Sequence, residues 1–196
     1  LNDIELQELL NSLYLGILGL QTLVDNLLEG ASIEAGRFRI SPHLSDLGTI
    51  IGKAVETMHP LLEKYGQRMV VELPTAIPVV IVDARRVEQV LVNLLSNASK
   101  FGPGESEITI SVFVENDWAK VLVADRGPGI SREQRKYVFH RFIHPGSIKD
   151  SAKAGAGLGL SVVIAIVEAH GGQVGVEDRP DGGSIFWFTV PLKEQG

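Results

Sequence analysis

Two alternating segments joined by a two-residue turn decide the fold class. Ile108–Glu115 and Trp118–Asp125 alternate apolar and polar positions, and Asn116-Asp117 stands between them. Alternation at period two marks strands with one buried face, and so short a turn makes the two strands antiparallel neighbours. A doubly wound parallel sheet would need a long crossover at that point. On either side the period changes. Ala84–Phe101 sets Val87, Val90, Leu91, Leu94, Leu95 and Ala98 on one helical face. Gln67–Leu73 and Val79–Asp83 are predicted strands, split by a loop holding Pro74 and Pro78. Arg132–Phe142 is a predicted short helical stretch and Leu158–His170 a helix that Gly171-Gly172 breaks. Gln173–Glu177 and Ser184–Pro191 form a final predicted pair of strands. Helices and strands in mixed order, mostly with short connections, predict an α+β fold: a two-layer sandwich with a mixed sheet.

A long helix is predicted ahead of this unit, over about residues 2–29. Leu6, Leu10, Leu13, Ile17, Leu20, Val24 and Leu27 recur at spacings of four and three. That is the repeat with which helices pack along a shared seam. Leu9, Tyr14, Leu23 and Leu28 widen the stripe, which suits a helical hairpin or a four-helix bundle. A single amphipathic helix lying on its own domain is the plainer alternative. Gly30 is expected to end the helix and 30–36 to connect it onward, dividing the chain into 1–36 and 37–196. Arg37–Ser41 is expected as a short strand, then a helix from Leu44 to Tyr65 capped by Ser41 or Ser45, with Pro60 kinking or dividing it.

Composition excludes several classes. With no cysteine there is no disulfide scaffold, thiolate metal site or cysteine nucleophile. Eighteen Lys and Arg against 24 Asp and Glu give a net charge of −6, which argues against broad electrostatic binding of nucleic acid. No apolar run has the length of a membrane span, and no signal peptide opens the chain. The chain starts at Leu1 rather than at methionine and is read as a piece of a longer protein.

Four clusters carry the chemistry. Asn93 and Asn97 lie four apart on one helical face, with Lys100 three further on. Amides beside buried leucines need polar partners: either interhelical hydrogen bonds or a hard cation such as Mg²⁺ with its phosphates. Asp125-Arg-Gly127-Pro-Gly129-Ile130 follows a strand. Its aspartate can accept from an exocyclic amine and its glycines let backbone approach a flat ring; the plainer alternative is a capped glycine turn. Gly155-Ala-Gly157-Leu158-Gly159 opens a helix, where free N–H groups meet phosphate oxygens. It is neither a Walker loop nor a dinucleotide fingerprint. Phe139-His-Arg141-Phe142 precedes a polar, small-residue segment expected to be a mobile loop, and its phenylalanines also suit simple anchoring to the core.

The order and spacing of these clusters resemble the catalytic and ATP-binding domain of sensor histidine kinases, part of the GHKL superfamily with the Bergerat fold. Asn93–Asn97 resemble the N box, Asp125–Gly129 the G1 box, Phe139–Phe142 the F box and Gly155–Gly159 the G2 box. Ala169-His-Gly-Gly172 and Gly183-Ser-Ile-Phe186 are similar to the family's tail, so the likeness covers about Arg37–Lys193. It implies that Asp125 holds the adenine amine, and that Gly127, Gly129 and Ile130 shape its pocket. It implies that Asn97 coordinates Mg²⁺ with Asn93 beside it, and that Lys100 contacts phosphate. Gly155, Gly157, Leu158 and Gly159 would cradle phosphates and hinge a lid over about 143–156. Hydrolytic relatives carry a glutamate where Asn93 stands; an amide cannot act as a base, which favours transfer over hydrolysis. The lid departs from the family's pattern: His144 stands where an arginine is common, so Arg141 is a substitute contact.

The resemblance further implies ATP and Mg²⁺ as ligands, a response-regulator receiver domain as partner, and a homodimer formed through the N-terminal helix. It implies a cytoplasmic domain with no nucleic-acid partner, meeting a membrane only through parts of the parent outside this piece. The family phosphorylates a helical histidine followed by Glu or Asp. None of His43, His59, His140, His144 and His170 has that neighbour, so the acceptor is expected upstream of Leu1, with residues 1–36 as the second helix of the dimerisation hairpin. His140 and His144 lack a third ligand, which sets zinc aside. Two alternatives stand: a nonenzymatic ATP-binding scaffold, and a serine kinase of the anti-sigma type.

Overall fold

The computed structural model describes residues 2–76, 79–140 and 157–193. In chain order the elements are α1 (Asp3–Glu34), β1 (His43–Asp46), α2 (Leu47–Lys64), β2 (Arg68–Glu72), β3 (Val79–Val82), α3 (Ala84–Phe101), β4 (Glu107–Glu115), β5 (Trp118–Ala124), α4 (Arg132–Arg135), α5 (Gly159–Ala169), β6 (Val174–Asp178) and β7 (Ser184–Pro191). The chain divides into two compact units, Leu1–Phe38 and Arg39–Gly196.

The first unit is α1. A capping box starts it: Asn2 Oδ1 accepts the Glu5 N–H at 2.8 Å, and Glu5 Oε2 accepts the Asn2 N–H at 3.0 Å. Along its seam Leu10, Leu13, Ile17, Leu20 and Leu27 are all more than half exposed. The helix runs through Gly30 and stops at Glu34, so the expected end at Gly30 is four residues short. The stop comes at Gly36, whose φ of +63° suits a residue without a Cβ. Its N–H donates to the Ile33 carbonyl and the Arg37 N–H to the Ser32 carbonyl, the paired bonds that close a helix in this way. Gly66 ends α2 and Gly171 ends α5 by the same pair of bonds.

In the second unit a five-stranded sheet has the order β2-β4-β5-β7-β6. β2 runs parallel to β4, and the remaining neighbours are antiparallel, so the sheet is mixed. Register places one apolar row across it: Ile110 faces Val123, and Val123 faces Phe186. Ile108, Ile110, Val121, Val123 and Phe188 on that side are buried. Above them α3 packs on β4 and β5, α5 on β7 and α2 on β2, with α2 and α5 both packed on α3. This is the expected two-layer α+β sandwich. The sheet's other side carries polar pairs, such as Arg68 with Glu107, and Lys120 over the Trp187 ring at 4.5 Å.

Three expectations are corrected between 37 and 82. The first strand is His43–Asp46, not Arg37–Ser41, and α2 begins at Leu47. Its cap is Asp46, which accepts the Thr49 N–H at 2.9 Å, rather than Ser41 or Ser45. β3 pairs antiparallel with β1 in a separate two-stranded sheet. Pro60 sits inside α2 without dividing it. No helix among the described residues is long and apolar enough to cross a membrane.

Candidate nucleotide site

α3 carries three of the groups singled out in the sequence. Asp83 starts it, accepting the Arg86 N–H at 3.3 Å, and the Gly102 N–H closes it on the Ala98 carbonyl at 2.9 Å. Asn93 is buried among the helix's leucines, while Asn97 and Lys100, further along the same stripe, are only partly covered. Burial pulls the Lys100 ammonium below its usual range, and its ring contact is with Phe101 at 5.3 Å. Among the described residues no carboxylate pairs with Lys100. A partly desolvated cation without a counter-charge is a ready site for an anion.

Asp125 follows β5 and continues its ladder, donating its N–H to the Ser184 carbonyl at 2.9 Å. The side chain is buried. Oδ1 accepts the Gly127 N–H at 2.7 Å and the Ser184 N–H at 3.3 Å. Oδ2 takes no hydrogen bond from the described residues, which leaves one fixed carboxylate oxygen as an acceptor. Burial raises the Asp125 pKa above the usual carboxylate range, while the N–H groups of Gly127 and Ser184 and the charge of Arg179 pull it back.

Glycine is required around this aspartate by contact. A Cβ on Gly127 would lie 2.9 Å from Asp125 Oδ1 and 3.1 Å from the Phe101 carbonyl oxygen. The segment 125–129 therefore abuts the C-terminal turn of α3, one residue past Lys100. Gly129 has φ +77° and would meet the Gly183 carbonyl at 3.4 Å. Ile130, which follows, is partly covered.

At the third cluster Gly157 has φ +66°, Leu158 is buried, and Gly159 opens α5 alongside α3. Among the described residues no side chain caps α5; Ser161 Oγ instead donates to the Leu158 carbonyl at 2.8 Å. The first-turn N–H groups are thus left for another acceptor. Phe139 packs edge-on against Phe186, with ring centroids 6.2 Å apart, so it does anchor its segment to the sheet. Arg141, His144, Gly155 and the lid expected over about 143–156 lie outside the described residues.

Two side chains that sequence reading missed bind the loop after β5. Arg135 Nε donates to the Ile130 carbonyl at 3.0 Å, and Arg179 Nη1 to the Asp125 carbonyl at 3.2 Å. Arg135 reaches a carbonyl five residues before it, but its acid partner Asp178 and the contact of Arg179 with Asp125 join segments far apart in the chain, which no local spacing marks.

The profile of the family described as "Histidine kinase-, DNA gyrase B-, and HSP90-like ATPase" matches residues 82–194. Sensor protein KdpD of Clostridium acetobutylicum is 34% identical over 94% of this chain, which covers 20% of that protein. The adaptive-response sensory kinase SasA of Prochlorococcus marinus is 35% identical over 78% of this chain and 41% of its own length. The chain thus spans well under half of either curated relative. The crystal structure of full-length ShkA in complex with AMPPNP superposes with a TM-score of 0.76 at 27% identity, covering 96% of this chain and 39% of that one. A profile that covers more than half of the sequence, on a mixed sheet whose strand β5 leads into one of these clusters and whose covering helices α3 and α5 carry the other two, makes this chain a member of the histidine kinase-, DNA gyrase B- and HSP90-like ATPase family.

Proposed function

We propose that this chain is the ATP-binding core of a sensor histidine kinase, transferring the γ-phosphoryl group of ATP to a histidine outside this stretch. The observation that carries the reading is a partly buried ammonium at Lys100, without a carboxylate partner among the described residues, close to a buried carboxylate at Asp125 whose Oδ2 takes no hydrogen bond from them, the two joined by the approach of Gly127 to Phe101. A donor amine at one end and an anion at the other describe adenine and its phosphates.

Asp125 accepts from the adenine amine. Gly127, Gly129 and Ile130 give the base a wall, and at Gly127 a Cβ would not fit. Lys100 and the first turn of α5 at Gly157, Leu158 and Gly159 receive phosphate oxygens. Asn97, with Asn93 behind it, offers neutral amide oxygens of the kind a Mg²⁺ ion accepts in a partly hydrated shell. Bound there, the ion would neutralise phosphate charge. Arg141, His144 and Gly155 are proposed to approach from the lid side.

Phosphoryl transfer asks for positioning and charge neutralisation more than for covalent help. The imidazole lone pair of the acceptor forms the N–P bond. The bond from the γ-phosphorus to the bridging oxygen breaks, and its electrons leave with ADP. Asn93 provides no base to activate water, which favours an organised imidazole over hydrolysis. The exposed seam of α1 is proposed to pair with the helix bearing that histidine and with a second copy, and the phosphohistidine to pass its group to an aspartate of a receiver domain.

The test is transfer of label from γ-labelled Mg-ATP to a histidine in the longer protein that contains this chain. Binding with acid-labile labelling supports the kinase. Binding without labelling would replace it with the scaffold reading, and labelling of a serine with the anti-sigma type.

A further inference from the structure

Asp178 and Arg179, adjacent at the end of β6, stand beside the loop 125–130, and two arginines grip that loop at its opposite ends. At the first end Arg179 Nη1 donates to the Asp125 carbonyl at 3.2 Å, while Nη2 lies 3.8 Å from Glu107 at the start of β4. At the last end Arg135 Nε donates to the Ile130 carbonyl at 3.0 Å, while Nη2 pairs with Asp178. Each guanidinium therefore joins a loop carbonyl to an acid of the sheet. The planar fork of arginine allows one side chain to serve both partners at a fixed angle, and the point charge of lysine does not.

The loop needs such support. It carries Gly127 and Gly129, the latter at φ +77°, and glycine leaves the unliganded backbone many alternatives. The pair between Arg135 and Asp178 is a weak source of global stability, because Asp178 is 69% exposed and exposed ion pairs contribute little. The Arg135 side chain is 22% exposed and is committed to the loop carbonyl as well. Hydrogen bonding to Arg135 holds Asp178 below the usual carboxylate range, so the pair is ionised at neutral pH. Weak global coupling with a fixed local geometry is the signature of orientation.

We infer that Arg135 and Arg179 are positioning residues for the base end of the nucleotide, shaping the adenine loop through the carbonyls of Ile130 and Asp125. This rests on the nucleotide reading proposed above. Neither residue is assigned to the phosphates, so base recognition and phosphate recognition separate on mutation.

The experiment measures binding of ATP and of inorganic tripolyphosphate, both with Mg²⁺, to this chain and to Arg135→Ala, Arg135→Lys and Arg179→Lys, with thermal unfolding alongside. Arg135→Ala is expected to weaken ATP about tenfold and to leave tripolyphosphate within about twofold and the unfolding midpoint within about 2 °C, a tenfold loss being about 1.4 kcal/mol. The lysine variants keep charge and lose the fork, and are expected to weaken ATP about threefold without touching tripolyphosphate. ATP affinity within twofold of the original in Arg135→Ala overturns the inference. So does an equal loss on both probes with a lowered midpoint, which marks a structural role only. A parent chain that takes up neither probe removes the nucleotide reading, and the inference with it.

Discussion

The Asp83 N–H donates to His170 Nε2 at 2.9 Å, joining the N-cap of α3 to the C-terminal end of α5. The other ring nitrogen, Nδ1, lies 2.7 Å from the Ile166 carbonyl, so it donates. Accepting at one nitrogen and donating at the other fixes the neutral tautomer. The same Asp83 carboxylate accepts the Ser41 N–H at 3.1 Å, so three segments meet at this point. His170→Phe keeps the shape and strands the Asp83 N–H, while the Ile166 carbonyl keeps the backbone N–H of residue 170. It should lower the unfolding free energy in urea by about 1–3 kcal/mol, with the m-value unchanged.

Asp125→Asn preserves the Oδ1 that holds Gly127 and Ser184 and turns the open oxygen into an amide donor facing another donor. ATP affinity should fall about 10- to 100-fold by calorimetric titration while the fold persists. A loss under twofold refutes the adenine role.

The same carboxyl gives a pH dependence with opposite signs for binding and stability. Its folded pKa is raised by burial. ATP binding through the carboxylate should decline as pH falls through that raised value, earlier than an ordinary aspartate would allow. The group's contribution to stability is present below its unfolded pKa and is lost as pH rises through the folded one, because the buried charge is then unfavourable. Affinity and unfolding free energy measured across the same acidic range should therefore move apart.

Lys100→Met removes the desolvated ammonium and keeps the aliphatic length. Affinity for Mg-ATP should drop about tenfold and affinity for adenosine should not, since only the phosphates meet the charge. Equal losses for both ligands would place Lys100 elsewhere.

Gly183→Ala tests how closely β7 approaches Asp125. Its φ is +106°, and a Cβ would lie 2.1 Å from the Asp125 carbonyl oxygen. The strained backbone alone is worth about 1–3 kcal/mol. The thermal midpoint and ATP affinity should fall together.

Charging the exposed seam of α1 tests the association proposed for it. Leu13→Glu with Leu20→Glu should convert a dimer of the chain to a monomer in sedimentation at equal concentration. Burying each leucine is worth about 1.5–3 kcal/mol. An original chain that stays monomeric at high concentration contradicts the pairing.

Local chemistry wrote some elements plainly. α3 spans the residues its apolar period predicts, and Val87, Val90, Leu91, Leu94, Leu95 and Ala98 are all buried. The Asn116 turn works because that residue takes φ +53°, which asparagine tolerates. Elsewhere two candidates of equal local merit competed. Gly30 and Gly36 both suit a helix end, and only the second reaches positive φ. Ser41, Ser45 and Asp46 are all good cap types, and Asp46 takes the role because Thr49 sits three residues on, ready to donate to it. The pairing of β3 with β1 and its bridge from Val80 to Leu192 join segments far apart in the chain, which no local period reveals. In the candidate site the residue types were legible from their order. The contacts of Arg135 with Asp178 and of Arg179 with Asp125 were not, because they appear only once the end of β6 lies near the end of β5.

The close approach of Gly127 to Phe101 has a thermodynamic corollary. The wall proposed for the base takes its form from a carbonyl that belongs to the far end of another helix, so an unravelled chain owns no fraction of it. A nucleotide held there is a ligand of the native ensemble alone. Raising its concentration to about a hundredfold above Kd would shift the folding equilibrium by about 2.7 kcal/mol, making ATP itself a conformational ballast for the domain.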